Sequence, residues 1–122
     1  MRDRDAWARI VGPCYTAAGI ADVLGCTEAE VGRAADELRL LEVQTSDELA
    51  LYPAFQVQSG HIVRGLPEVL EVLRTGTAGR WTWVQFLNVS VAGETTHIEH
   101  LRAGRVDDVL RSAHEEAAAW NR

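Results

Sequence analysis

The 122-residue chain has no lysine, three prolines, two cysteines and one methionine. Two cysteines, Cys14 and Cys26, are too few for a disulfide framework, and they stand too far apart for a C-x-x-C zinc or redox pair. No secretory leader precedes them, so both are expected as reduced thiols in a cytoplasmic protein. The longest apolar runs fall well short of a bilayer span, and no membrane association is expected. All twelve basic residues are arginine, a choice that suits planar bidentate contacts and that genome composition also produces. They face eighteen acids, for a net charge of −6. That balance excludes a protein whose affinity comes from a diffuse basic surface: nucleic acid, if bound, is met by a local patch. With 47% hydrophobic and 25% charged residues the composition is globular, with room for one core or two small subdomains sharing one.

The pattern is mainly helical. Residues 1–12 carry alternating charges and Trp7 and read as an arm or frayed helix, which Gly12-Pro13 interrupts. Thr16 is a good N-cap for a helix through Ala17, Ile20, Ala21 and Leu24, and Gly25 supplies the left-handed residue that closes it. Thr27 opens a second helix with Glu30 placed for a capping box, and Val31, Ala34, Ala35 and Leu38 form its apolar stripe. Two short helices joined by a glycine turn are a helix-turn-helix pattern: Ala21 is small where the helices cross, Gly25 tolerates positive φ in the turn, and Val31 points into the angle. Leu41 to Thr45 and Leu49 to Tyr52 alternate around Ser46-Asp47-Glu48, the hairpin known as a wing.

Beyond Phe55, Val57, Ile62 and Val63, Leu66-Pro67-Glu68 starts a helix through Val69, Leu70, Val72 and Leu73, ended by Gly76 and Gly79. The stretch Arg80 to Leu87 reads as a buried helix, with a strand left open by its aromatic and β-branched content. Thr95 or Thr96 caps a short helix ended by Gly104, and Val106, Val109, Leu110, Ala113, Ala117 and Trp120 mark a last amphipathic helix. The expected fold is a winged helix-turn-helix over 13–58 with a short β-hairpin, followed by a small C-terminal helical bundle over 59–122 serving as a dimerisation or toxin-binding module.

Thr16-Ala17-Ala18-Gly19-Ile20-Ala21-Asp22-Val23-Leu24-Gly25-Cys26-Thr27, followed by Tyr52-Pro53-Ala54-Phe55-Gln56, resembles the Xre/MbcA/ParS-type antitoxin family. Gly65-Leu66-Pro67, Trp81 to Leu87, and Glu99-His100-Leu101-Arg102-Ala103-Gly104-Arg105 with Val109 are similar to its toxin-binding region. The resemblance implies a cytoplasmic antitoxin that binds its operator through the helix-turn-helix and a RES-type toxin through the C-terminal region. The chain departs from the family pattern at Asn88-Val89-Ser90-Val91-Ala92-Gly93-Glu94, after which Thr96-His97 comes without the family's proline.

A second helix lying in a major groove presents its N-terminal residues and one exposed face. Here those are Thr27, Glu28, Ala29, Gly32, Arg33 and Asp36, with Thr16 at the start of the first helix. Only Arg33 among them is basic, and from Ala17 to Arg39 five acids face two arginines. Glu28 and Glu30 have a sufficient structural reason in the helix dipole. DNA binding then calls on dimer avidity or on Arg2, Arg4 and Arg9 of the leader. The alternative is a protein-interaction adaptor or inhibitor whose helix-turn-helix no longer binds DNA. For partner binding the candidates are Trp81, Trp83, His100, Arg102, Arg105 and Trp120, and a homodimer is expected. Trp81 and Trp83, two apart, point to different sides of a helix, so one of them is expected to face a partner. His97, His100 and His114 form a weak metal candidate without a zinc-motif spacing, and Cys26 a weak candidate for a reactive thiol. No nucleophile-base order or phosphate-binding glycine loop is present, so neither an enzyme nor a cofactor is expected.

Overall fold

In the computed structural model, which describes residues 11–90 and 93–122, the strand β1 (Cys14–Tyr15) leads directly into helix α1 (Ala17–Leu24). Thr16 forces that change: its backbone stays extended while its Oγ1 accepts a hydrogen bond from the Gly19 amide at 3.1 Å. Gly25 ends α1 at φ 71°, and the Cys26 amide returns to the Ala21 carbonyl. Helix α2 (Glu28–Asp36) starts on a complete capping box, in which Glu30 N–H donates to Thr27 Oγ1 and Thr27 N–H donates to Glu30 Oε1. Leu38 closes α2 at φ 57°, where the Arg39 amide bonds back to the Ala34 carbonyl. A leucine in the left-handed region is strained by about 1–2 kcal/mol, and burial of its side chain holds it there.

Strands β2 (Val43–Gln44) and β3 (Ala50–Pro53) form an antiparallel hairpin with Val43 opposite Leu51. β1 pairs with the other edge of β3, giving the order β1-β3-β2. A 3-10 turn (Ala54–Gln56) then leads into a second small hairpin, β4 (Val57–Gln58) and β5 (His61–Ile62). Four helices follow: α3 (Leu66–Arg74), α4 (Arg80–Asn88), α5 (His97–Arg102) and α6 (Val106–Trp120). The fold is mainly helical with two small antiparallel sheets. No helix among the described residues is long and apolar enough to cross a membrane.

Two apolar clusters hold these elements. The smaller packs Ile20, Ala21, Val31, Ala35, Leu40 and Tyr52 between α1, α2 and β3. The larger gathers the inner faces of α3, α4, α5 and α6 around Trp83, together with Val11, Leu38, Leu41 and Val43. The segment after α2 therefore alternates, with Leu40 turned into one cluster and Leu41 into the other. Gln56, wholly buried, closes the seam: its Oε1 accepts from the Leu41 amide at 2.7 Å and its Nε2 donates to the Leu41 carbonyl at 2.9 Å. Farther along, Gly76 lets α3 approach α6, since a Cβ there would lie 2.6 Å from Ala117 Cα.

The boundary expected between 58 and 59 falls inside the β4 and β5 hairpin, whose Ile62 packs against both clusters. Val11, at the end of the segment expected as a flexible or helical arm, is buried in the larger cluster. Arg2, Arg4, Trp7 and Arg9 lie outside the described residues.

Candidate nucleic-acid interface and partner surface

The sharp turn at Gly25 sends α2 across α1 with Ala21 and Val31 buried between them. Everything else follows from helical period. With Val31 and Ala35 inward, Glu28, Ala29, Arg33 and Asp36 are exposed, as is Thr27 at the cap. Gly32 is half-buried, and a Cβ there would meet open space. The expected DNA-facing residues of α2 thus share its outer surface. Thr16 is also exposed, but its hydroxyl oxygen serves the N-cap of α1. Thr27 is likewise engaged locally, its hydroxyl donating to Glu30 Oε1 at 3.1 Å. Hydrogen bonds from the Thr27 amide and then its hydroxyl hold the Glu30 carboxyl below the ordinary range, with a smaller contribution from the nearby Arg33 charge.

The electrostatics of this half are lopsided. Across residues 11–58 eight carboxylates stand against two arginines, Arg33 and Arg39, whereas residues 59–122 are nearly balanced with eight against seven. Arg39 pairs with Glu37 at 2.7 Å, so Arg33 is the positive charge carried by the α2 face itself. Beside α2 lies a groove of about 480 Å³ floored by Leu24, Val31, Leu40 and Ile62 and edged by Arg33 and Arg39. Cys26 also lines it, half-buried and unbridged. Cys14, on β1 beside β3, is half-buried, and burial pushes its thiol up, away from thiolate reactivity.

The C-terminal candidates divide. Trp83 is a correction: expected among the partner-facing residues, it is fully buried, with its indole N–H donating to the Thr77 carbonyl and the Arg80 guanidinium 4.4 Å from its ring centroid. Trp81, on the other side of α4, is half-buried and its indole N–H donates to the Gln44 carbonyl at 3.1 Å, tying α4 to β2. Arg102 is exposed, and its Nη1 donates to the carbonyls of both Phe55 and Val57 at 2.9 Å, tying α5 to the 3-10 turn and to β4. Trp120 is partly buried against the larger cluster. His100 and Arg105 remain near the surface, with the Arg105 guanidinium 3.1 Å from His100 Nδ1.

The histidine constellation does not form a ligand set. His97 stacks on Phe86 with ring centroids 4.1 Å apart, and its Nδ1 lies 2.8 Å from the Phe86 carbonyl, which that nitrogen can approach only as a donor. His114 is exposed on α6. Among the described residues no group of three or more His, Cys, Asp or Glu is arranged to hold a metal ion.

Sequence reasoning did not anticipate the role of Gln56 between the two clusters, nor those of Trp81 and Arg102, which join the two halves of the chain. For Gln56 a signal existed, an amide set between Phe55 and Val57 in an otherwise apolar stretch. For the other two no local pattern reveals a main-chain partner some forty residues away.

No family model matches the chain, and no curated protein matches it. Its fold is similar to the NMR structure of Rv2175c, with a TM-score of 0.68 over 86% of this chain and 81% of that one. Sequence identity is 23%, so the likeness is one of fold.

Proposed function

We propose that the chain is a DNA-binding regulator of antitoxin type, a winged helix-turn-helix in which α2 enters the major groove and the β2 and β3 hairpin is the wing. The observation that carries this reading is the outward face of α2: Thr27, Glu28, Ala29, Arg33 and Asp36 project from a helix whose opposite side is anchored through Val31 and Ala35. Because this half offers so few positive charges, affinity depends on base-edge contacts, on two copies bound side by side, or on the leader arginines. The C-terminal helices serve a protein partner, a RES-type toxin on the family resemblance, through the surface around His100 and Arg105.

Fluorescence-anisotropy titration with the DNA upstream of the gene tests the first part. Tight binding that weakens with salt, and its loss in Arg33→Ala with the fold intact, is the expected result. Unchanged affinity in Arg33→Ala counts against α2 as the reading helix. Co-expression with the product of a neighbouring RES-type toxin gene tests the second part, and failure to co-purify contradicts it.

One observation favours a second reading, an adaptor that binds protein alone. Eight carboxylates against two arginines over residues 11–58 oppose phosphate contact. An adaptor shows no salt-dependent binding to any duplex.

A further inference from the structure

We infer that this chain self-associates by seating the tip of one β2 and β3 hairpin in the groove beside α2 of a second copy. The tip presents Leu49, 54% exposed; it and Val89 are the exposed large apolar side chains among the described residues. The backbone holds Leu49 in that position. Its N–H donates to Thr45 Oγ1 at 3.1 Å, its carbonyl accepts from the Thr45 amide at 3.0 Å, and the Glu48 amide donates to the Thr45 carbonyl at 2.9 Å. Glu48 adopts φ 64°, a conformation that non-glycine residues rarely take and that these three bonds stabilise.

The acids Asp47 and Glu48 immediately precede that leucine, and Asp47 Oδ1 accepts from Ser46 Oγ at 3.4 Å. Against phosphates this is the wrong charge. Against the groove it is complementary: Leu24, Val31, Leu40 and Ile62 form an apolar floor for Leu49, and the guanidinium groups of Arg33 and Arg39 stand at its edge. Glu30 also lines the groove, but one of its carboxylate oxygens is taken by the capping box. The Arg39 to Glu37 pair is exposed on both sides, a kind of ion pair that contributes little and exchanges partners readily. A single tip falls far short of the roughly 1,600 Å² of a standard interface, so the association is weak, and a two-fold arrangement uses the contact twice. It differs from a dimer built on the C-terminal helices. It also does not depend on DNA binding, although it uses Arg33 and would therefore compete with it.

Sedimentation velocity of the full chain without DNA, up to about 1 mM protein, tests the inference. The expected result is a concentration-dependent monomer and dimer equilibrium that weakens several-fold between about 50 and about 500 mM salt. Leu49→Asp weakens it at least about tenfold while moving the thermal midpoint little, since the residue is 54% exposed. The double variant Arg33→Asp/Arg39→Asp does not self-associate, yet pairs with Asp47→Arg/Glu48→Arg when the two are mixed. A monomer at every concentration overturns the inference, as does a Leu49→Asp protein that associates like the parent, or a charge-swapped mixture that stays monomeric. Leu49→Ser, which adds no charge, repeats the test should Leu49→Asp disturb the hairpin.

Discussion

Gln56 uses its side-chain amide as a second backbone for Leu41, accepting from that residue's N–H at 2.7 Å and donating to its carbonyl at 2.9 Å, fifteen positions away and out of contact with water. The amide thereby satisfies main-chain groups that burial would otherwise leave unpaired. It fixes the point where the chain passes from one apolar cluster to the other.

Gln56→Leu keeps the volume and removes both hydrogen bonds. The expected outcome is a loss of about 2–4 kcal/mol, read as a lower urea midpoint with an unchanged slope. A shift under about 0.5 kcal/mol would mean that water reaches Leu41.

Gly76 and Gly32 make a matched pair. A Cβ at Gly76 would lie 2.6 Å from Ala117 Cα and 2.8 Å from its carbonyl oxygen, so Gly76→Ala pushes α3 and α6 apart and destabilises by about 1–3 kcal/mol. Gly32 lies inside α2 with nothing within 4 Å of a Cβ, so Gly32→Ala raises stability by about 0.5–1 kcal/mol. Thermal unfolding of the two variants should move in opposite directions.

Tyr52 donates its hydroxyl to Glu42 Oε2 at 2.7 Å. Burial first, then that bond and the adjacent carboxylates, push the phenol well above its ordinary range. The neutral phenol is thus favoured in the folded state. Its stabilising effect is complete below the unfolded value of about 10 and is lost as pH rises from there through the folded value. In an absorbance titration, one of the two tyrosines should ionise late or together with alkaline unfolding, and Tyr52→Phe should remove that step. Two phenols titrating near the free value would contradict the buried pairing.

Arg102→Ala cuts both links from α5 to Phe55 and Val57 and should lower stability by about 1–2 kcal/mol, although the residue is exposed. Arg102→Lys recovers only part of this, since an ammonium lacks the planar fork. Full recovery by lysine would show that charge rather than geometry matters there.

Local chemistry explains which parts of this structure are legible in the sequence. Thr16, Thr27 with Glu30, Gly25, Pro67, Thr96 and Gly104 act within one helical turn, and the helices they delimit begin and end where those residues place them. The alternation of Val43 and Leu51 around Ser46-Asp47-Glu48 also yields its hairpin. β1 and the β4 and β5 pair are two residues per strand, too short for any period, and exist because a partner strand lies alongside. Trp83 shows the limit at the site itself: the two-residue offset from Trp81 separates their directions but does not say which direction is the core. Only the packing of α4 against α3, α5 and α6 decides that.

The claim that α2 reads DNA is tested most directly by backbone amide NMR of the labelled chain titrated with a duplex from upstream of its gene. The account predicts shifts concentrated at Thr27 to Arg33, weakening as salt rises. A duplex that leaves α2 unperturbed, or shifts confined to α3 through α6, would contradict it.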